Sequence, residues 1–213
     1  MTLKKSKSMY RWVIFFTFLL FAVVLNEVLQ KDEAPFALQG VLRPEPKLLK
    51  EFELIDQNKK TVNKHSFENK WSLVFFGYTS CPDICPTTLH VLNSVVAMLA
   101  RREEKLLLDT QVVFISVDPA RDSVEVLADY MAFFNKDFIG VTGDKKNIDN
   151  ITWQFGAGYV MDEEVEDGQY QVSHTSAIFL VSPDTRLVAA FSQPHIPGTI
   201  VSQYKAIRNY LLE

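Results

Sequence analysis

Residues 71–86 read Trp71-Ser72-Leu73-Val74-Phe75-Phe76-Gly77-Tyr78-Thr79-Ser80-Cys81-Pro82-Asp83-Ile84-Cys85-Pro86. The first seven form a continuous apolar run of strand length, which is how a strand covered on both faces looks in sequence. Thr79 to Cys85 reads as a loop. Pro86 stands where a first helical turn favours proline. Leu89, Leu92, Val96 and Leu99 then follow at helical spacing. Both cysteines of the chain therefore lie between the end of a buried strand and the start of a helix.

Downstream, strands and helices alternate. Gln111 to Val117 is a second buried strand, broken by Asp118-Pro119. Val124, Leu127, Met131 and Phe134 make an amphipathic helix, and Phe138 to Val141 a third strand. A helix over Asn147 to Phe155 precedes an acidic loop, Met161 to Tyr170, which holds Asp162, Glu163, Glu164, Glu166 and Asp167. Ser176 to Val181 and Leu187 to Phe191 read as a hairpin around Ser182-Pro183-Asp184-Thr185, and Ile200 to Leu212 closes the chain as a helix. Upstream, Phe52 to Ile55 and Lys60 to Val62 flank Asp56-Gln57-Asn58 as a short hairpin. Strands joined through helices run parallel, and the last hairpin is antiparallel. The predicted class is α/β, a thioredoxin-like mixed β-sheet flanked by helices, over residues 49–213.

The N-terminus reads differently. Lys4, Lys5, Lys7 and Arg11 precede an uncharged apolar run from Trp12 to Leu25. The run is short against the ~20 residues of a spanning helix, with Met9, Tyr10, Val28 and Leu29 able to extend it. Residues 1–30 are expected to be a basic tip and an N-terminal transmembrane helix. The basic side stays in the cytoplasm, which places the globular domain outside it, most simply on the periplasmic side of a bacterial inner membrane. A cleaved signal peptide is the alternative, but no small-x-small site follows Leu25. Residues 31–48, with Pro35, Pro44 and Pro46, read as an extended tether. The net charge is −4 and becomes −8 without the basic tip, which excludes a nucleic-acid footprint.

Two cysteines are too few for a disulfide scaffold, so the pair reads as a site. At a helix N-terminus the unpaired N–H groups and the positive dipole end favour thiolate, the reactive and metal-binding form. The usual redox pair has two residues between its cysteines, and here there are three. The wider spacing suits a metal grip, and a third ligand is then expected among His65, His90, His174 and His195. His174 is favoured, since it precedes the strand that neighbours the cysteine strand in a thioredoxin-like sheet. Thr175-Ser176 stand there where thioredoxins carry a cis-proline. His90 points away along its helix, and His65 and His195 read as solvated loop imidazoles.

The stretch Phe76 to Pro86 resembles the signature of the Sco/SenC copper proteins. Ser116-Val117-Asp118-Pro119-Ala120-Arg121-Asp122 is similar to their second block, and His174-Thr175-Ser176 to their third. The resemblance spans about residues 40–212. It implies a copper site, Cu(I) or Cu(II), with Cys81, Cys85 and His174 as ligands. It also implies a metallochaperone role in assembling the binuclear copper centre of cytochrome c oxidase subunit II, by copper delivery, cysteine reduction or both. The implied partners are that subunit and a copper-donor protein. Soft thiolates with one imidazole suit copper, although zinc would also bind such a set. Metal loading and a Cys81–Cys85 disulfide exclude one another. Asp118 and Arg121 read as a turn with a local ion pair, Asp83 as a helix-start anion or a group near the metal, and Phe76 and Tyr78 as packing. The competing readings are an extracytoplasmic thiol-disulfide oxidoreductase or redox or copper sensor using Cys81 and Cys85, and an interaction domain with a structural disulfide.

Overall fold

The structure, a computed structural model, describes residues 4–30, 35, 38–162 and 170–212. It divides into two compact units, Met1–Phe36 and Ala37–Glu213. The first holds helix α1 (Lys4–Gln30). Its rings at Trp12, Phe15, Phe16, Phe18 and Phe21 are 55–72% exposed. Among the described residues, no helix is long and apolar enough to cross a membrane. The acidic stretch 163–169 lies outside the described residues.

The second unit runs β1 (Leu42–Leu48), β2 (Glu53–Asp56), β3 (Thr61–Asn63), β4 (Trp71–Gly77), α2 (Ile84–Arg102), α3 (Glu104–Leu107), β5 (Thr110–Ser116), α4 (Val124–Phe134), β6 (Ile139–Thr142), α5 (Lys145–Phe155), β7 (Tyr159–Met161), β8 (Val172–His174), β9 (Ile178–Val181), β10 (Arg186–Phe191) and α6 (Pro197–Leu212). Among the described residues, eight strands form one mixed sheet in the order β1-β10-β9-β4-β5-β6-β2-β3, and β7 and β8 form a second, two-stranded sheet. The predicted parallel core is β4-β5-β6, and β9 joins β4 antiparallel.

Every residue of β4 is buried. Successive side chains alternate between faces, which explains the unbroken apolar run. Phe76 meets Phe155 of α5 on one side, and Phe75 meets Phe114, itself beside Tyr130 of α4, on the other. Helix starts follow local chemistry. Ser123 caps α4 by accepting from the Val126 N–H, and Asp144 caps α5 by accepting from Asn147 N–H. Gly156, at φ 68°, ends α5 in the left-handed conformation that favours glycine.

Three expectations change. Residues 42–48, read as part of a tether, form the edge strand β1, paired with β10 across an irregular register, and Leu38 before it is fully buried. Pro44 and Pro46 are tolerated because an edge strand need not donate on its open side. Helix α2 starts at Ile84 rather than near Pro86, which brings Cys85 into its first turn. The β7–β8 hairpin was not foreseen, because strands of three residues carry almost no periodicity.

Candidate metal centre

Cys81 lies in the loop after β4, Cys85 in the first turn of α2 and His174 at the end of β8. Their donor atoms all fall within 4.8 Å of one another. The Cys85 Sγ to His174 Nε2 distance is 3.4 Å, and the Cys85 N–H donates to Cys81 Sγ at 3.4 Å. Both cysteines are free; Cys85 is fully buried and Cys81 partly buried. Asp83, the residue that would cap α2, makes no side-chain cap bond. The Cys81 sulfur takes that place, because it accepts from a backbone N–H of the first turn.

The two thiols are electrically unequal. The pKa of Cys81 is lowered to about 4, first by the hydrogen bond with Cys85; burial opposes this, and the Asp83 and Cys85 N–H groups add to it. Cys85 is pushed far up, first by the same bond, in which its proton is held, and then by burial. The reduced pair is thus a thiolate at the mouth and a thiol beneath it. Alkylation of the reduced, metal-free chain should therefore mark Cys81 alone. Its rate should hold as the pH is lowered from neutral and fall only towards about 4. Mass mapping after iodoacetamide treatment over a pH series checks this; label on Cys85 first, or a fall beginning above pH ~7, would contradict it.

His174 is oriented from several sides. Its Nδ1 lies 3.1 Å from the Thr175 carbonyl, so Nδ1–H donates there and leaves the Nε2 lone pair facing the sulfurs. Phe75 and Tyr78 meet its ring edge-on, each at 5.9 Å. The cleft beside the site encloses about 420 Å³ and is lined by Tyr78, Cys81, Asp83, Ile84, His174 and Gln193, among others.

The other imidazoles lie elsewhere. His65 pairs with Glu68, and His90 packs on Phe134. His195, read as solvated, is half-buried and bonded to the Phe191 carbonyl; burial lowers its pKa. Tyr78 does pack at the site, whereas Phe76 lies on the opposite face of the sheet, against Phe155 and Phe179.

Two features escaped the sequence reading. Gly77 leaves the slot into which Cys85 fits: a Cβ there would come within 2.7 Å of Sγ. Asp122, fully buried, accepts from the Thr79 N–H (3.0 Å), the Thr79 hydroxyl (2.5 Å) and the Ser116 hydroxyl (2.6 Å). Burial raises its pKa against the pull of these bonds. It fastens the cysteine loop to the end of β5. An Asp six residues after a strand-ending Ser was the available signal, but the partner Thr79 is remote in sequence.

Two sulfurs and one nitrogen at these separations suit one ion, since bonds of about 2.0–2.3 Å place donors roughly 3.5–4 Å apart. The sequence model of the SCO1/SenC family matches residues 41–209. The chain belongs to the SCO1/SenC family. A SCO2-like protein of Rickettsia felis is 33% identical over 186 residues, covering 86% of this SCO1/SenC chain and 89% of its own. A copper-bound ScoI of Arabidopsis thaliana is 31% identical at a TM-score of 0.70, covering 76% of this chain and 98% of its own. Copper-bound yeast Sco1 superposes with the same TM-score at 28% identity, covering 77% and 90%. The thioredoxin-like fold expected from the sequence is the fold of these SCO1/SenC structures.

Proposed function

We propose that this SCO1/SenC protein binds one copper ion through Cys81, Cys85 and His174. We further propose that it serves the assembly of the binuclear copper centre of cytochrome c oxidase subunit II. The observation that carries the metal reading is the convergence of the three donor atoms from positions far apart in the chain. The soft sulfurs favour copper, Cu(I) above all, over hard cations, and the copper-bound relatives support the same ion. Cys81, partly exposed at the cleft, is the donor an acceptor site can reach first, which suits cargo that must leave again. The basic flank and exposed apolar surface of α1 support a membrane anchor, with the N-terminus cytoplasmic and the copper domain on the periplasmic side.

The inequality of the thiols also favours a reductive role at the same site. The Cys81 thiolate attacks one sulfur of a target disulfide, forming a mixed disulfide and releasing the other target sulfur as thiolate. Cys85 gives up its proton and attacks Cys81 Sγ, releasing the second target sulfur. Two electrons pass to the target, its thiolates take up protons, and the chain is left with a Cys81–Cys85 disulfide. In that state it cannot hold the ion, so reduction and loading alternate.

Copper titration of the reduced full chain tests the metal reading. It should saturate at one ion per chain and, with Cu(II), develop a thiolate charge-transfer band. Turnover of protein disulfides with no copper uptake would replace the chaperone reading by the oxidoreductase one.

A further inference from the structure

The β7–β8 hairpin that carries His174 stands outside the eight-stranded sheet. An isolated two-stranded hairpin is marginal in water, so its orientation depends on what fastens it. At one end the Tyr159 hydroxyl, on the residue paired with His174, donates to Asp149 of α5 at 2.5 Å. At the other end lies Tyr170, two residues before β8. Its hydroxyl donates to Asp118 at 2.6 Å, and its carbonyl accepts from Arg121 Nη1 at 2.9 Å. Arg121 Nε closes the triangle onto Asp118, whose side chain is fully buried.

A local ion pair explains only the last of these contacts. The Arg121 Cζ also lies 3.7 Å from the Tyr170 ring centroid and 5.5 Å from that of Tyr78. Tyr78 is the ring that meets His174 edge-on. Arg121 thus contacts Tyr170, four residues before His174, and lies over Tyr78, the ring beside His174. Its neighbour Asp122 fastens Thr79, two residues before Cys81. The loop 118–122 reaches both arms of the site.

We propose that Arg121 is a positioning residue for the metal centre, holding the foot of the His174 strand and the Tyr78 ring so that Nε2 faces the two sulfurs. This rests on the copper reading above. With Arg121 removed, Tyr170 keeps its hydroxyl bond to Asp118 but loses the bond to its carbonyl and the cation over its ring, so the foot of β8 is held more loosely and His174 samples orientations away from the cysteines.

The test is a double-mutant cycle, read by Cu(I) competition against a chromogenic chelator on the full reduced chain. Arg121→Ala should weaken Cu(I) binding by at least about tenfold, within the range for groups that orient a ligand. On a His174→Ala background it should have no further effect, because its influence passes through that imidazole. Arg121→Lys keeps the charge beside Asp118 but loses the planar stack and the fork. It should show a partial loss in the first background and none in the second, and it carries the test if Arg121→Ala does not fold. Wild-type affinity in the Arg121 variants overturns the inference. So does an equal loss in both backgrounds, which is the mark of general destabilisation. If wild type and His174→Ala bind alike, the three-ligand reading and this inference fall together, whereas a strong His174 effect with no Arg121 effect removes the inference alone.

Discussion

His174→Ala is expected to lower the copper affinity of the reduced chain by more than about 100-fold, beyond the 10–100-fold carried by groups that only orient a ligand. Two sulfurs do not complete the site, and the ring is prepared to supply the third donor. Nδ1 is committed to the Thr175 carbonyl and Nε2 lies 3.4 Å from Cys85 Sγ. Phe75 and Tyr78 hold the ring, so little orientational entropy is lost when an ion binds. The thiols keep their own chemistry, because the chief partner of each is the other. The variant should still form the Cys81–Cys85 disulfide and still be alkylated at Cys81. Copper competition beside thiol labelling checks both halves. His90→Ala, whose ring packs on Phe134, is the control and should bind as wild type. An unchanged affinity in His174→Ala would remove the three-ligand site.

The second large effect is expected at a residue with no side chain. Gly77→Ala should cost about 1–3 kcal/mol of stability, the range for overpacking a dense core. Its Cβ would stand 2.7 Å from Cys85 Sγ, 2.8 Å from Phe114 Cε2 and 3.2 Å from Phe75 Cε1. None of these can yield easily. Both phenyl rings are fully buried, and Sγ belongs to a fully buried side chain in the first turn of α2. The atom best able to move is the sulfur, so copper affinity should fall with stability. Urea unfolding and copper competition on the same sample check this. Gly140→Ala is the comparison: its Cβ would meet Met131 Cγ at 2.7 Å, on a flexible side chain away from the site. It should cost stability while leaving copper binding intact. Equal losses of binding in the two variants would show that Gly77 is not specific to the cysteine slot.

These residues also show where the sequence was legible. Trp71 to Gly77 announces a buried central strand, because a strand covered on both faces reads as a near-continuous apolar run, with Ser72 tolerated by its bond from Gln111. The helix over 124–134 follows from its apolar periodicity, and the one expected over Asn147 to Phe155 starts two residues earlier, at Lys145, where Asp144 caps it. The edge strand over 42–48 was hidden by its prolines and charges, which an edge tolerates and a central strand does not.

The same division runs through the site. Cys81 and Cys85 could be read as a pair from their place between a strand and a helix, since the thiolate preference of a helix N-terminus is local physics. His174 could be singled out from its position before a strand, and the family motif pointed the same way. Which thiol carries the charge, which ring nitrogen faces the sulfurs, why position 77 lacks a side chain and what holds the histidine arm were decided by tertiary structure alone. The reason is distance along the chain. The contact between Cys85 and His174 spans 89 residues, that between Thr79 and Asp122 spans 43, and that between Arg121 and Tyr170 spans 49. Local sequence determines what each segment can become, whereas burial and hydrogen-bond partners arise only when remote segments share one space.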